Sequence, residues 1–414
     1  MASFSFGAGN AQKLARLPLY GLGRLATAVI PRGSRWAFGC GAGIGDGALA
    51  VWEVARERGI DAVWLTTTAA EAREAEARGM AHAAKMSWRG FWITARARVL
   101  VVTHGFGDVN PFAVSGAFVA QLWHGIPLKR IGLDAPEVVR SAFLPSSGAV
   151  RALVSRMYRG AAQRIGLLPA ASHLVRGRLE SAFGISYARI AVTGEPRVDV
   201  LSRGTAGERE DRARRVIARA TPGTSGLRRL VLYAPTWRDG DPDPAIPSRA
   251  EWDAILAALD RHDATLLVRS HRLGAGTYEP PTPTDRVVAL GADVLPDITP
   301  ALPAIDALVT DYSSLVYDAA LVDVPALFLA PDLEDYAARR GFYGAYADVA
   351  GADAPRTWSA LLARLDEILG DADAYARAQD RARALSARVH AFRDGHNARR
   401  VLTEILARVG EGRA

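Results

Sequence analysis

The stretch AFVAQLWHGIPLKRIG, residues 117–132, ends an apolar, strand-like run in Trp123, His124 and Gly125, followed by Pro127 and the cations Lys129 and Arg130. An imidazole with an ordinary pKa of about 6.5 can accept a proton from a hydroxyl near neutral pH. The alternative for His124 is a ring tied into a turn with no chemical task.

Other apolar runs end in the same kinds of residue. RVLVVTHG (98–105) stops at His104 and Gly105, and VLYAPTWRDG (231–240) stops at Pro235, so that Thr236 and Arg238 project into a loop. Arginine grips a phosphate with two donors and keeps its charge at any working pH. In LLVRSH (266–271), Arg269 and His271 are two residues apart and share one face of an extended chain. VTDYSSLVYDAALV (309–322) reads as a strand stopping at Asp311, then a helix over SSLVYDAALV. Its first residues, Ser313 and Ser314, would add hydroxyls to unpaired backbone N–H groups, a favourable phosphate site or a plain helix cap. VTGEPRVDVL (192–201) adds Arg197 behind a Gly and a Pro that enforce a turn.

These residues need strands to carry them. RWAFGCG (35–41), DAVWLTT (61–67), RVLVVTHG and AFVAQLWHG read as buried strands, with the helix pattern DGALAVWEVARERGI (46–60) between the first two. Alternating strand and helix implies a parallel sheet covered by helices. After the charged and then Thr-, Pro-, Gly- and Ser-rich segment 201–229, the same alternation resumes with RLVLYAPT, ATLLVRSH, VVALG, DALVTD and VPALFLAP, and from Thr357 onward the pattern is helical. The expected division is a first domain over 1–205 and a second over 206–414. Both are α/β, and ligands would bind beyond the carboxyl ends of the strands, in a cleft between the sheets.

The 414 residues, 49% hydrophobic and 23% charged, are enough for two cores. A net charge of +7 suits a phosphate-bearing partner. Cys40 is the sole cysteine, which excludes an intrachain disulfide and argues for a reducing compartment. No cleavable signal or transmembrane span is expected at the N-terminus, where Lys13, Arg16, Pro18, Gly21, Gly23 and Arg24 interrupt any apolar run. Leu14, Leu17, Leu22, Leu25 and Val29 recur at loosely helical spacing; a helix packed on its own domain is expected, the alternative being one lying in a membrane interface. FGCGAGIGDG (38–47) lacks the Lys and Ser or Thr of a phosphate-binding P-loop and reads as a tight strand-to-helix turn. The carboxylate pairs in DPD (241–243) and DAD (371–373) are assigned no metal, and no metal or cofactor is expected.

Taken in order, QLWHGIPLKRIG, GEPRVDVL, LYAPTWRDG, LVRSH, VTDYSSLVYDAALVDVPALFLAPDLEDYAARRGFYGAY and FRDGHNARRV resemble the CDP-glycerol glycerophosphotransferase family, the teichoic-acid and capsule type of glycerol-phosphate primases and polymerases. The resemblance covers about Trp36 to Val401. It implies a GT-B fold, two Rossmann-like domains facing across a nucleotide-binding cleft. It also implies transfer of a polyol phosphate, chiefly glycerol phosphate, from a CDP-linked donor to a hydroxyl of a saccharide or polyol-phosphate acceptor, releasing CMP. The acceptor would be polymeric or lipid-linked.

Carried over by motif, His124 matches the proposed base and Gly125, Ile126 and Pro127 the turn beside the donor, with Trp123 as its wall. Arg197, Pro235, Thr236, Arg269, Ser270, His271, Ser313, Ser314 and Asp318 match donor-contacting positions, and Arg238 joins them from its strand-end place; His271 stands with His124 as a catalytic histidine. Ile126 stands where Thr is more usual and Glu195 where Asn is frequent, which bears on the polyol transferred. The implied place is the cytoplasmic face of the cell membrane, as a peripheral protein. A nucleotide-sugar glycosyltransferase is the rival reading, since a GT-B fold alone supports it. A nucleic-acid-binding module is disfavoured, because the cations are spread along amphipathic helices rather than clustered with aromatics.

Overall fold

The computed structural model describes residues 17–135, 148–222, 229–236, 238, 243–269 and 278–411. The chain forms two compact units: the first holds residues up to Gly125, Arg130–Asp199 and Asp394 onward, the second Ile126–Lys129 and Val200–Arg393.

In unit 1 the strands are β1 (Trp36–Gly39), β2 (Ala62–Thr66), β3 (His82–Ala84), β4 (Val99–Val102), β5 (Phe118–Gln121), β6 (Ile165–Ala170) and β7 (Ile190–Val192). They form one parallel sheet in the order β3-β2-β1-β4-β5-β6-β7. The helices are α1 (Leu17–Val29), α2 (Asp46–Glu57), α3 (Ala69–Ala77), α4 (Trp88–Arg96), α5 (Gly148–Ala162) and α6 (His173–Phe183). A parallel sheet covered on both faces demands strands that are apolar at every position rather than at alternate ones. β1, β2 and β4 meet that demand: Trp36, Phe38, Trp64 and Val101 enter the core on one face, and Ala37, Val63, Leu65 and Leu100 the core on the other.

Unit 2 repeats the plan with β8 (Arg229–Ala234), β9 (Ala264–Val268), β10 (Val287–Ala289), β11 (Ala307–Thr310) and β12 (Ala326–Phe328), parallel in the order β10-β9-β8-β11-β12. Its helices are α7 (Ala206–Ala220), α8 (Arg249–Arg261), α9 (Leu315–Ala320), α10 (Leu333–Arg340), α11 (Ala347–Ala350), α12 (Trp358–Gly370) and α13 (Ala372–Val389). The last helix, α14 (Asn397–Glu411), packs on α2 of unit 1, with Ala398, Val401, Leu402 and Ile405 inside that core. Residues 394–414, expected in the second domain, belong to unit 1. Within the first, Ile126–Lys129 belongs to unit 2, where Lys129 pairs with Phe342 and the Tyr343 N–H donates to the Leu128 carbonyl at 3.0 Å.

Helix α1 differs from expectation in which way it faces. Its packed side is Gly23 and Thr27, the glycine so close to the Phe112 carbonyl that a Cβ would lie 2.1 Å from it. The apolar stripe points outward instead: Leu22, Leu25 and Val29 are 62, 69 and 80% exposed. Among the described residues, no helix is long and apolar enough to cross a membrane.

Both sheets reverse their strand order at one place, between β1 and β4 and between β8 and β11. The carboxyl ends beside such a reversal are where open α/β sheets hold ligands.

Candidate functional site

At the reversal in unit 1, β4 runs into Thr103, His104 and Gly105, whose backbone N–H groups all donate to Asp108 Oδ2, at 2.9, 2.7 and 3.3 Å. This turn lies against β1 so tightly that a Cβ on Gly39 would meet the Asp108 carbonyl at 2.1 Å, so only glycine fits there. The turn holds His104 at a fixed angle: its Nδ1 accepts the Gly41 N–H at 3.2 Å and lies 3.7 Å from the buried Cys40 Sγ. Burial pushes the Cys40 thiol well up, which leaves it uncharged.

His124 stands three residues beyond the next strand, β5. The residue just before it bends the chain: Trp123 has φ +65, a left-handed conformation costing about 1–2 kcal/mol for a side chain with a Cβ. Its indole is braced edge-on against Phe183 at 5.1 Å and lies 4.2 Å from the His124 ring. Gly125, at φ +131, completes the turn. The result is an imidazole turned back over β4, stacked on His104 with centroids 4.8 Å apart and planes 17° from parallel.

Desolvation first, then the positive charge of Arg197, press the His124 imidazole below its usual range. The ring is exposed to solvent, which limits the desolvation, and it is neutral and able to accept a proton at neutral pH. Arg197 sits in the turn after β7, with its Nη2 3.6 Å from Glu195 Oε2. The sequence places His104 and His124 at the ends of two apolar runs, and the parallel pairing of β4 with β5 is what brings the two rings together.

At the reversal in unit 2, Thr236 follows β8 and donates its N–H to Asp311 Oδ1 at 2.8 Å. Thr236 Oγ1 is buried and has no hydrogen-bond partner among the described residues. Arg238, expected as an open phosphate grip, is instead 8% exposed and enclosed by carboxylates. Its Nη1 donates to Asp311 Oδ2 at 2.9 Å, and its Nε and Nη2 donate to the two oxygens of Asp332 at 2.8 and 3.0 Å. The guanidinium carbon lies 4.9 Å from the ring centroids of both Tyr312 and Tyr336. Tyr312 adds its hydroxyl to Asp332 at 2.9 Å. Arg238 therefore ties the ends of β8 and β11 to the start of α10.

Arg269, after β9, spends its guanidinium on the carbonyls of Leu290, Leu295 and Pro296 at 3.2, 2.7 and 3.1 Å. The helix expected over SSLVYDAALV is the six-residue α9, beginning after Ser314 and followed by Asp323 at φ +59. Ser313 Oγ accepts from the Leu315 N–H at 3.3 Å, whereas Ser314 makes no side-chain cap, and both serines are half-buried. Asp318, Ile126 and Pro127 are buried, so their side chains contribute to the interior. Pro235 closes β8. Ser270 and His271 lie outside the described residues.

Residues 41–407 match the family model described as CDP-Glycerol:Poly(glycerophosphate) glycerophosphotransferase. The chain is 30% identical over 276 residues to a teichoic acid glycerol-phosphate transferase of Staphylococcus aureus, covering 63% of this chain and 64% of that one. It is 26% identical over 270 residues to a teichoic acid poly(glycerol phosphate) polymerase of Bacillus subtilis, covering 64% of this chain but 34% of that one. Alignment thus spans less than two thirds of the length of either relative. Among solved structures, the wall teichoic acid polymerase TagF superposes with a TM-score of 0.75 over 98% of both chains at 19% identity. A TagF variant has also been solved after soaking with CDPG. The fold is that of TagF, the GT-B arrangement of two Rossmann-like units.

Proposed function

Because the chain belongs to the CDP-glycerol:poly(glycerophosphate) glycerophosphotransferase family, we propose that it transfers a polyol phosphate, glycerol phosphate in the simplest case, from a CDP-linked donor to an acceptor hydroxyl during synthesis of a cell-surface polymer. The acceptor is a saccharide or a polyol-phosphate chain of the teichoic-acid or capsule kind. The observation that carries this reading is the Trp123–Gly125 turn, which spends backbone strain to present a neutral imidazole at a strand end.

In the proposed step the acceptor oxygen attacks the distal phosphorus of the donor. The new O–P bond forms as the bond from that phosphorus to the oxygen of CMP breaks, and CMP leaves with the electron pair. His124 accepts the proton of the attacking hydroxyl. Catalysis of this kind rests on placing the two oxygens in line and on balancing phosphate charge. Thr236, Ser313, Ser314 and Arg197 are the proposed donor-contacting side chains. Arg238 and Arg269, with their donors committed internally, act by holding the strand ends in position.

We place the protein peripherally on a membrane surface, supported by the outward apolar stripe of α1. The test of the activity is CMP release from CDP-glycerol in the presence of a glycerol-phosphate-primed acceptor. The wild type should turn over and His124→Ala should lose about 100-fold or more of kcat while keeping its melting temperature. Full turnover by His124→Ala would remove the base; release of UDP from UDP-sugars, with CDP-glycerol inert, would replace this reading by the glycosyltransferase one.

A further inference from the structure

We propose that His104 is a second working imidazole of unit 1, which fixes the plane of His124 by stacking and offers its Nε2–H to a non-bridging oxygen of the transferred phosphate. The inference rests on the function proposed above and adds a substrate contact that neither the motif resemblance nor the family match assigns.

Three observations carry it. The first is the tautomer. A backbone N–H can only donate, so the bond from Gly41 to Nδ1 requires a lone pair there, which puts the ring proton on Nε2. Protonating Nδ1 would set two N–H groups against each other, and the geometry therefore keeps His104 neutral. Burial works in the same direction, while Asp108 opposes it.

The second is availability. Nδ1 is engaged from the Cys40–Gly41 side, whereas Nε2 makes no hydrogen bond among the described residues, and the half-buried ring leaves room for one. Asp108, the charged neighbour, makes no bond to Nε2 among the described residues; its Oδ2 receives the three backbone N–H groups of the turn.

The third is spacing. A base in contact with the attacking oxygen places the phosphorus about 3–3.5 Å beyond that oxygen before reaction. With ring centroids 4.8 Å apart, the two imidazoles are spaced to meet different atoms of one reacting centre, His124 the attacking oxygen and His104 an oxygen on the phosphorus. A neutral N–H there would strengthen as negative charge gathers on the phosphoryl group. No proton moves through His104; the proton of the acceptor hydroxyl still goes to His124.

His104→Phe keeps an aromatic ring to stack but has no N–H, and His104→Gln keeps a donor without the ring. With CDP-glycerol and a primed acceptor, His104→Phe should lower kcat about 100-fold with KM for the donor changed far less, and His104→Gln should recover part of that loss. Imidazole 15N spectra of the full chain should show His104 with a protonated Nε2 and a bare Nδ1 from pH 5 to 8. Wild-type kcat in His104→Phe overturns the inference. So does a His104 Nδ1 that takes up a proton within that pH range. If the wild type releases no CMP but the tautomer is as stated, the proposed function fails separately; if His124→Ala is dead and His104→Phe is unimpaired, only the inference fails.

Discussion

Arg238 illustrates how a side chain can hold a site without touching a ligand. Its guanidinium is enclosed between two tyrosine rings and meets Asp311 and Asp332 through charge-assisted bonds on three of its nitrogen atoms. The Arg238 and Asp311 side chains are 6 and 4% exposed, so neither charge has water to fall back on. Removing one partner of a buried pair leaves the other uncompensated, at a cost of about 3–5 kcal/mol. Arg238→Met should therefore destabilise unit 2 by about that much in urea denaturation. Arg238→Lys should recover part of it, because the charge survives but the fork that spans both carboxylates does not. Equal stability for wild type and Arg238→Met would show that the network contributes nothing net.

At the scale of elements, Asp199 decides where the end of the chain goes. Its carboxylate receives the N–H groups of Asn397 and Ala398 at 2.9 and 2.8 Å, capping the first turn of α14 from almost 200 residues away. Asp199 is 1% exposed, so Asp199→Ala strands two donors away from water, a loss of about 1–3 kcal/mol. Amide exchange at Asn397 and Ala398 should then accelerate and unit 1 should melt lower; unchanged exchange at both would refute the cap. The helical pattern of α14 is legible in the sequence, but an amphipathic face does not say which sheet it will cover. The strands divide on similar grounds. β1, β2, β4, β5 and the five strands of unit 2 are readable because each is a nearly unbroken apolar run. β6 is not, since Gly166 and Pro169 interrupt it with residues that usually mark turns. For the site, the strand-end position of His124 was legible and the fate of Arg238 was not: its carboxylate partners lie 73 and 94 residues downstream.

Over the whole molecule, the surface of unit 1 is arranged as a soluble core would not require. An amphipathic helix normally turns its apolar stripe inward, yet α1 packs through glycine and threonine and leaves Leu22, Leu25 and Val29 in water. In α4, Trp88 is 75% exposed and stacks on Trp92 at 6.4 Å, on the same side of the helix. The two helices are joined by Arg32, just after α1, whose Nη1 donates to the carbonyls of Thr94 and Ala97 at 2.6 and 2.9 Å. Residues 17–45 and 77–107 contain no Asp or Glu but include Arg24, Lys85 and Arg89. Apolar and indole side chains accompanied by more cations than acids, Asp61 being the acid beside Trp92, suit an anionic lipid interface. The full chain should sediment with vesicles containing phosphatidylglycerol, less with phosphatidylcholine alone, and less again as salt rises. Burying a leucine is worth about 1.5–3 kcal/mol, so a Leu22→Ser, Leu25→Ser double variant should weaken partitioning about 100-fold or more. The donor-dependent CMP release of that variant with a soluble acceptor should be unchanged, since both leucines are exposed on α1 and neither is among the proposed site residues. Vesicle binding equal to wild type in the double variant would mean that this face does not meet the membrane, and a concentration-dependent dimer abolished by the same changes would assign the stripe to a second copy of the chain.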